Sequence, residues 1–217
     1  METYRTEEEQ IEALKGWVKE YGRSVVVGVA LCLILVFGWR AWRDYGQQSA
    51  QMASAAYDTL YQAVRKASEQ DATSIDRSTV DTMAEPLQSE WSDTTYADLS
   101  QLLLARQAVY DDQLEKARDA LAEVVTHADD EAIRHIARLR LARVLLALKD
   151  YDSALSEALP TDDPVFDSAY WEVRGDVFLA KGDSRAAFEA YDKAIKASDT
   201  PLPLVELKRD DVRMDNP

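Results

Sequence analysis

Residues 25–37 read Val-Val-Val-Gly-Val-Ala-Leu-Cys-Leu-Ile-Leu-Val-Phe, and this charge-free stretch decides the architecture of the chain. The window without charge extends from Ser24 to Trp39, which is about 24 Å of helix at 1.5 Å per residue. Including the flanks from Tyr21 to Trp42 gives about 33 Å, enough to cross a hydrocarbon core of about 30 Å. The stretch therefore predicts a transmembrane helix, which we place at residues 23–42.

Both ends of this predicted span carry side chains that suit a membrane–water interface. Tyr21, Trp39 and Trp42 are amphipathic aromatics of the kind enriched at headgroup level. Arg23 and Arg40 can extend their charged groups to the headgroups while their aliphatic stems stay in the apolar layer. These five residues are predicted interface anchors, so membrane lipid is a predicted contact.

A cleaved signal peptide and a buried core helix are the alternatives to a span. A signal peptide needs a short basic leader, yet the 23 residues before Ser24 include six acids. Arg40, Trp42 and Arg43 also occupy the place where cleavage would fall. A core helix would not require aromatic and arginine residues at both ends. Both alternatives are therefore disfavoured.

The distribution of basic residues predicts the orientation of the span. Four of them precede it, whereas only Arg40 and Arg43 follow it before Arg65. The positive-inside rule then places the N-terminus in the cytoplasm and the C-terminal part outside, which in a bacterium means the inner membrane and the periplasm. The only cysteine, Cys32, lies in the span, so the domain has no thiol to mispair in an oxidising compartment.

Residues 1–22 form the predicted cytosolic leader. Thr6 and Glu9 fit a capping box, and apolar residues then recur at helical spacing, at Ile11, Leu14, Val18 and Tyr21. This pattern predicts an amphipathic helix that leads into the membrane.

One face of the span carries small residues at every fourth position, namely Ser24, Gly28 and Cys32. Small residues let two helices approach closely in lipid, where apolar side chains gain no hydrophobic driving force. This face is therefore a predicted contact surface for another membrane helix.

The part of the chain after the span is acidic and helical in pattern. Acids and bases are equal in number before residue 44, so residues 44–217 carry the entire net charge of −15. Such a surface repels nucleic acid and anionic lipid, so the predicted partners are proteins. The chain has only seven glycines and no long run of alternating apolar and polar residues. Both features argue for an all-α fold. Residues 43–97 are a predicted helical membrane-proximal segment, with a short helix broken near Pro86.

The second half of the chain contains an internal repeat. Its clearest copy is the ordered set Trp171, Gly175, Phe178, Ala187, Tyr191 and Ala194. This set resembles the tetratricopeptide repeat, in which a small residue lets two helices cross closely and aromatic side chains fill the gap. Earlier copies have Ala142, Leu145, Ala154 and Ala158, and before them Ala105, Ala108, Ala117, Leu121 and Val124. Residues 98–217 are thus predicted to hold tetratricopeptide-like repeats.

A terminal capping helix is predicted after Pro201 and Pro203. Its apolar residues would be Leu204, Leu207 and Val212. Its charged residues, including Lys208, would face solvent.

The first helices of stacked helix pairs line a concave groove that binds peptides, so they supply the candidate partner residues. These candidates are Leu102, Arg106, Val109, Leu139, Arg143, Leu146, Asp176 and Leu179. Some of the leucines must belong to the core instead. The Lys and Asn pattern that captures a peptide carboxylate in one subclass of these repeats is absent, so capture of a C-terminus is not indicated.

No catalytic, cofactor or metal-binding constellation is visible in the sequence. His127 and His135 are the only histidines and have no cysteine companion in the domain, so both are predicted surface residues. Phosphate loops and calcium loops are also missing. The chain is therefore predicted not to be an enzyme and to need no cofactor.

The layout as a whole resembles the YfgM family, the ancillary subunit of the bacterial SecYEG translocon. The residues that carry the resemblance include Ile11-Glu12-Ala13, Val27-Gly28-Val29, Gly38-Trp39-Arg40, Ala53-Ser54-Ala55-Ala56-Tyr57, Leu139-Arg140-Leu141-Ala142, Arg174-Gly175-Asp176 and Asp199-Thr200-Pro201. The resemblance implies an inner-membrane protein whose periplasmic repeats associate with the SecYEG translocon and with the periplasmic chaperone PpiD. It implies a role in holding folding factors near secreted client chains, and it implies no catalytic residues.

Three functional hypotheses follow. The first is a non-enzymatic interaction protein that links export to periplasmic chaperones. The second is an envelope signalling or assembly adaptor with the same architecture and other partners, which the sequence does not distinguish from the first. The third is an enzyme on a repeat scaffold, and residues 44–97 offer no constellation to support it.

Overall fold

The computed structural model describes the backbone of residues 7–69 and 77–214, and the side chains of residues 11–66 and 79–212 apart from Ala13 and Ser24. In these ranges the chain forms helices and no strand, which confirms the all-α class. The helices are α1 (Glu7–Glu69), α2 (Arg77–Ser89), α3 (Thr95–Tyr110), α4 (Leu114–His127), α5 (Glu131–Ala147), α6 (Tyr151–Glu157), α7 (Pro164–Ala180), α8 (Ser184–Lys196) and α9 (Pro203–Met214).

Helix α1 contains the predicted leader, the predicted span and the start of the membrane-proximal segment. No helix boundary separates residues 1–22 from residues 23–42 where the structure describes them, and Thr6 of the expected capping box lies outside that part. The chain has no proline before Pro86, so no residue in this stretch breaks the helical hydrogen-bond ladder. Two compact units are present, one ending at Gln51 and the other beginning at Met52.

The first core of the second unit joins the end of α1 to α2 and α3. Its buried residues are Ala53, Leu60, Val64, Val80, Ala84, Leu87 and Leu103. The expected break of α2 near Pro86 is wrong, because Pro86 lies inside this helix. The Pro86 carbonyl accepts hydrogen bonds from the backbone N–H groups of Glu90 and Trp91, at 2.9 and 3.2 Å. Burial of the apolar face of α2 keeps the helix continuous past the proline.

Three antiparallel helix pairs follow, α3–α4, α5–α6 and α7–α8, which confirms the predicted repeat. Most residues of the repeat pattern are buried, whereas Trp171 and Phe178 of the third copy are only partly buried. The buried ones are Ala105, Ala108, Ala117, Leu121, Val124, Ala142, Leu145, Ala154, Ala158, Gly175, Ala187, Tyr191 and Ala194. Alanine at these positions lets the two helices of a pair approach closely, so one core runs continuously from α3 into α7.

The turn between the two helices has the same geometry in each pair. A left-handed residue follows the first helix in every copy, with φ of 57° at Asp112, 63° at Lys149 and 81° at Gly182. The next backbone N–H then bonds back to the first helix, as Asp183 does to the Phe178 carbonyl at 2.9 Å. This closure is typical of a Schellman motif. Only the third turn uses glycine, the residue that adopts positive φ without steric cost.

Helix α9 follows the third pair and packs against it, and its inward face differs in part from the expected one. Val205 and Val212 are buried, whereas Leu204 and Leu207 are more than half exposed. The expected apolar face is therefore wrong for both leucines. Residues 205, 208 and 212 share one face at helical spacing, so Lys208 lies between the two buried valines instead of facing solvent.

Candidate interaction surfaces

Among the described residues, the segment Val25–Lys66 of α1 is long and apolar enough to cross a membrane. An 18-residue stretch of this segment has a mean hydropathy of 2.2, and none of that stretch is buried against the rest of the chain. An exposed apolar surface of this length suits lipid and not water. The predicted span is the most apolar part of this segment.

The aromatic residues at the ends of the span are exposed and lie in pairs. The ring centroids of Trp39 and Trp42 are 5.5 Å apart, and those of Trp17 and Tyr21 are 6.2 Å apart. The sequence analysis missed Trp17, although its position one helical turn before Tyr21 was a usable signal. Arg23 and Arg40 are exposed as well. Their role as interface anchors stays a prediction.

The small-residue face of the span has room for another helix. A Cβ placed on Gly28 would meet no heavy atom within 4 Å. Cys32 is a free, exposed thiol. The side chain of Ser24 lies outside the described residues, and the contact role of this face stays a prediction.

An apolar groove between α3 and α5, with α4 at its base, brings together three of the predicted partner residues. Arg106, Val109 and Arg143 line this groove, whose volume is about 500 Å³. The other lining residues are Ala105, Tyr110, Leu114, Leu121, Arg140, Val144 and Ala147. Concave sites that bind small ligands have volumes of about 300–1,000 Å³, and this groove lies within that range. We call this site the arginine groove.

Two important members of the arginine groove were not among the chosen candidates, Tyr110 and Arg140. Arg140 lies one turn before Arg143 on the same helix, and Tyr110 lies one turn after Arg106, so helical spacing could have found both. The Arg106 guanidinium lies 5.5 Å from the centre of the Tyr110 ring. Burial lowers the pKa of Arg140, and the neighbouring charges of Arg106 and Arg143 lower it further.

Three other candidates do not line this groove. Leu102 and Leu139 are buried in the core, at 5 and 6 % exposure, so their prediction as groove residues is wrong. Each lies three residues before a core alanine, Ala105 or Ala142, and therefore shares the inward face of its helix. Leu146 is half-buried and packs against the same core.

In the third helix pair, the carboxylate of Asp176 is occupied by contacts with other residues of the same chain. Lys208 of α9 donates to both oxygens of the Asp176 carboxylate, at 2.8 and 3.0 Å, and to Glu172 at 2.9 Å. The Tyr191 hydroxyl also donates to Asp176 Oδ1, at 2.8 Å. Asp176 is thus held by the terminal helix and is not an open groove position, which corrects that prediction. Leu179 on the same helix is exposed and stands apart from the arginine groove.

These contacts shift the pKa of two groups in the third pair. Burial and the hydrogen bond to Asp176 raise the pKa of the Tyr191 hydroxyl well above its usual range. Burial opposes the charged form of Lys208, but its hydrogen bonds to Asp176 and Glu172 outweigh this and raise its pKa. The site is therefore a structural clamp that keeps Lys208 charged and Tyr191 neutral.

The two histidines differ in environment. His127 is exposed, as predicted. His135 is half-buried: its ring stacks on Phe166 at 4.7 Å and its Nδ1 lies 2.9 Å from the Tyr170 hydroxyl, so its prediction as a surface residue is wrong. Within the described residues, no group of three or more His, Cys, Asp or Glu side chains is arranged to hold a metal ion.

Comparison with known proteins agrees with this architecture. The family described as tetratricopeptide repeat-like domain matches residues 15–214. A protein of Escherichia coli (strain K12) named ancillary SecYEG translocon subunit is 35 % identical over 201 residues, which cover 93 % of both chains. Proteins of the same name from Haemophilus influenzae and Aggregatibacter actinomycetemcomitans are 31 % and 29 % identical, over 87 % of this chain and 88 % of their own. No solved structure matches significantly.

The family match covers the anchor and every helix pair, and the similarity to the relatives extends over nearly the whole of each chain. The chain therefore belongs to the tetratricopeptide repeat-like domain family and to the YfgM family of ancillary SecYEG translocon subunits.

Proposed function

We propose that this chain is a non-enzymatic, membrane-anchored interaction protein that associates with the SecYEG translocon and links protein export to periplasmic chaperones. The observation that carries the proposal is the 35 % identity, over 93 % of both chains, to a protein named ancillary SecYEG translocon subunit. The exposed apolar segment of α1 and the repeat domain give the two parts that such a role needs, an anchor and a protein-binding surface.

We place the chain in the bacterial inner membrane, with its N-terminus in the cytoplasm and its repeat domain in the periplasm. The support is the excess of basic residues before the span. The acidic part of the chain after the span suits this placement, because the net charge of −15 on residues 44–217 keeps that part soluble beside an anionic membrane surface.

We assign two contact surfaces to two kinds of partner. The face with Ser24, Gly28 and Cys32 would pack against a membrane helix of the translocon, because small residues permit close helix approach in lipid. The repeat domain would contact the chaperone PpiD, and through it secreted client chains. The arginine groove is the open surface of the repeat domain that best fits a partner segment.

The test is purification of the full chain, with a C-terminal tag, from native membranes in a mild detergent. Mass spectrometry would identify the proteins that copurify. We expect SecY, SecE and SecG together with PpiD. A variant with Ser24, Gly28 and Cys32 changed to Leu should lose the translocon subunits while it stays in the membrane.

A matched variant changes Val26, Ala30 and Ile34 to Leu on the opposite face of the same helix, which adds bulk at residues 26 and 30 and changes only the branching at residue 34. This control should keep the translocon subunits. If the wild-type chain instead enriches another envelope or regulatory protein without the translocon, the proposal is wrong and the adaptor hypothesis replaces it. Equal losses in both variants would show that the small-residue face is not the contact.

A further inference from the structure

We infer that the arginine groove binds an acidic, amphipathic segment of a partner protein, one that presents carboxylates next to a large apolar side chain. The inference rests on the proposed function only in that it requires a protein partner for the repeat domain. It adds the chemical class of the segment that this domain recognises. The reasons are the unpaired charge of the groove, its exposed apolar surface and the acidity of the surrounding surface.

The charge argument begins with the arginines themselves. Arg106, Arg140 and Arg143 all line one groove in a chain whose net charge is −15. Within the described side chains, no carboxylate lies within 4 Å of any of the three guanidinium groups. Their charges are close enough that Arg106 and Arg143 disfavour the charged form of Arg140. A carboxylate from outside would relieve this repulsion.

About half of the described basic residues of the repeat domain pair with a carboxylate within the chain. Described ion pairs join Lys116 to Asp81, Arg118 to Asp119, Arg138 to Glu157, Lys181 to Asp152, Arg185 to Glu189, Lys196 to Asp192 and Lys208 to Glu172. Arg134, Lys149, Arg174 and Lys193 also lack an ion pair among the described side chains, so a missing carboxylate is not by itself unusual. What distinguishes Arg106, Arg140 and Arg143 is that three such cations line one groove. Arginine clusters of this kind bind acidic segments through charge-assisted hydrogen bonds, which planar guanidinium groups form in pairs.

The apolar surface of the groove supplies the second requirement. Tyr110 and Val109 are 68 and 46 % exposed, which is unusual for large apolar side chains next to a core. The apolar lining of the groove also includes the buried residues Ala105, Leu121 and Val144. One large apolar side chain placed there would be enclosed by apolar groups while its flanking carboxylates reach the arginines. Exposed aromatic and arginine side chains around an apolar centre are typical of protein-binding hot spots.

The surrounding acidity selects against larger anions. The screening length at physiological salt is about 8 Å, so a short segment inside the groove responds chiefly to the arginines. A nucleic acid or an anionic membrane surface extends far beyond that distance and meets the acidic remainder of the domain. A peptide segment is therefore the occupant that the charge pattern favours.

The experiment measures binding of three fluorescent helical peptides to the full chain in phosphatidylcholine nanodiscs. The first peptide has a Leu and Phe face flanked by Glu. The second replaces each Glu by Lys, and the third replaces Leu and Phe by Ala. We expect the first peptide to bind at least about tenfold more tightly than either of the others, since both charge and apolar contact contribute.

Two variants with equal change in net charge locate the binding. R140Q/R143Q removes two groove charges, whereas R118Q/R185Q removes two exposed charges outside it. We expect R140Q/R143Q to weaken binding of the acidic peptide at least about tenfold and to reduce its salt dependence, and the control pair to change affinity less than about twofold. Circular dichroism should show the same helix content in both variants.

Several outcomes would overturn the inference. One is equal binding of the acidic and basic peptides. Another is an equal effect of the two variant pairs. A third is displacement of the peptide by dihexanoyl phosphatidylglycerol at similar concentration, which would make an anionic lipid headgroup the ligand. Copurification of the translocon tests the proposed function separately. Peptide binding can therefore fail while the proposed function holds, and the proposed function can fail while the peptide still binds.

Discussion

At the scale of single residues, Gly175 shows most directly how the third repeat packs. A Cβ at this position would lie 2.3 Å from Cε1 of Tyr191, a ring that is fully buried and cannot move aside. We expect Gly175→Ala to lower the free energy of unfolding by about 1–3 kcal/mol, the usual cost of overpacking, even though alanine favours the helix. Urea unfolding followed by circular dichroism measures the change.

Gly46→Ala is the matched control for that experiment. Gly46 also lies inside a helix, but a Cβ there would meet no heavy atom within 4 Å. The control should be as stable as the wild-type chain or slightly more stable. If Gly175→Ala behaved in the same way, the close approach of α7 and Tyr191 would be disproved.

Lys208 gives a second prediction at this scale, on the effect of pH. Its folded pKa is raised above the unfolded value of 10.5, so its stabilising contribution is full below about pH 10.5 and is lost as the pH rises through the folded value. Lys208→Met should lower the free energy of unfolding by about 1–3 kcal/mol at pH 8, because it leaves Asp176 and Glu172 without their cation. The difference from the wild-type chain should shrink above pH 10.5.

Lys196→Met serves as the control for Lys208→Met. Lys196 pairs with Asp192 on the same helix, and its side chain is 73 % exposed. Such a surface pair contributes about 0–1 kcal/mol, so this variant should unfold nearly as the wild-type chain does. A Lys208→Met difference that stayed constant from pH 8 to pH 12 would contradict the assigned role.

At the scale of helices, α9 acts as the cap of the repeat stack. It covers the third pair with Val205 and Val212 and clamps α7 through Lys208. Removal of residues 203–217 should leave the core around Tyr191 open to water and speed amide hydrogen exchange in α8 far more than in α4. Mass spectrometry of exchanged peptides from the two helices measures this difference.

Removal of residues 215–217 alone is the control, since α9 ends at Met214. This shorter deletion should leave exchange in α8 unchanged. Equal protection of α8 in the longer deletion would show that the third pair is stable without its cap.

The helix scale also shows where sequence patterns succeed. The alanine and glycine spacing predicted all three pairs, because small residues at helix crossings leave a periodic signal. The expected break at Pro86 was wrong, because burial of neighbouring apolar residues outweighed the local effect of one proline. The expected face of α9 was right for Val212 but wrong for Leu204 and Leu207, because the helix packs with Val205 inward instead of the two leucines.

At the scale of the whole molecule, the chain divides into two units at residue 52, and this division predicts how it fractionates. The full chain should stay in the membrane pellet after an alkaline carbonate wash, because its apolar segment is held in lipid. A chain beginning at Met52, exported with a cleavable signal peptide, should appear in the soluble fraction. Immunoblots of the two fractions measure the result.

Treatment with detergent, which should release the full chain from the pellet, distinguishes membrane insertion from aggregation. Recovery of the shorter chain in the carbonate-washed pellet would show that the second unit binds the membrane by itself. Release of the full chain by carbonate would show that residues 23–42 do not span the bilayer.

The sequence by itself determined the features that depend on composition and period. A charge-free apolar run predicted an anchor, and recurring small residues in a glycine-poor, acidic chain predicted an all-α class with three helix pairs. These signals come from neighbouring residues and do not depend on which side of a helix each residue faces. Only the tertiary structure decided which side chains remain open. Leu102 and Leu139 turn inward while Arg106, Arg140 and Arg143 converge on one groove, because a shift of one position on a helix rotates a side chain by about 100°. Asp176 is likewise not an open groove residue, because it binds Lys208. This contact joins distant parts of the chain, so no local sequence pattern predicts it.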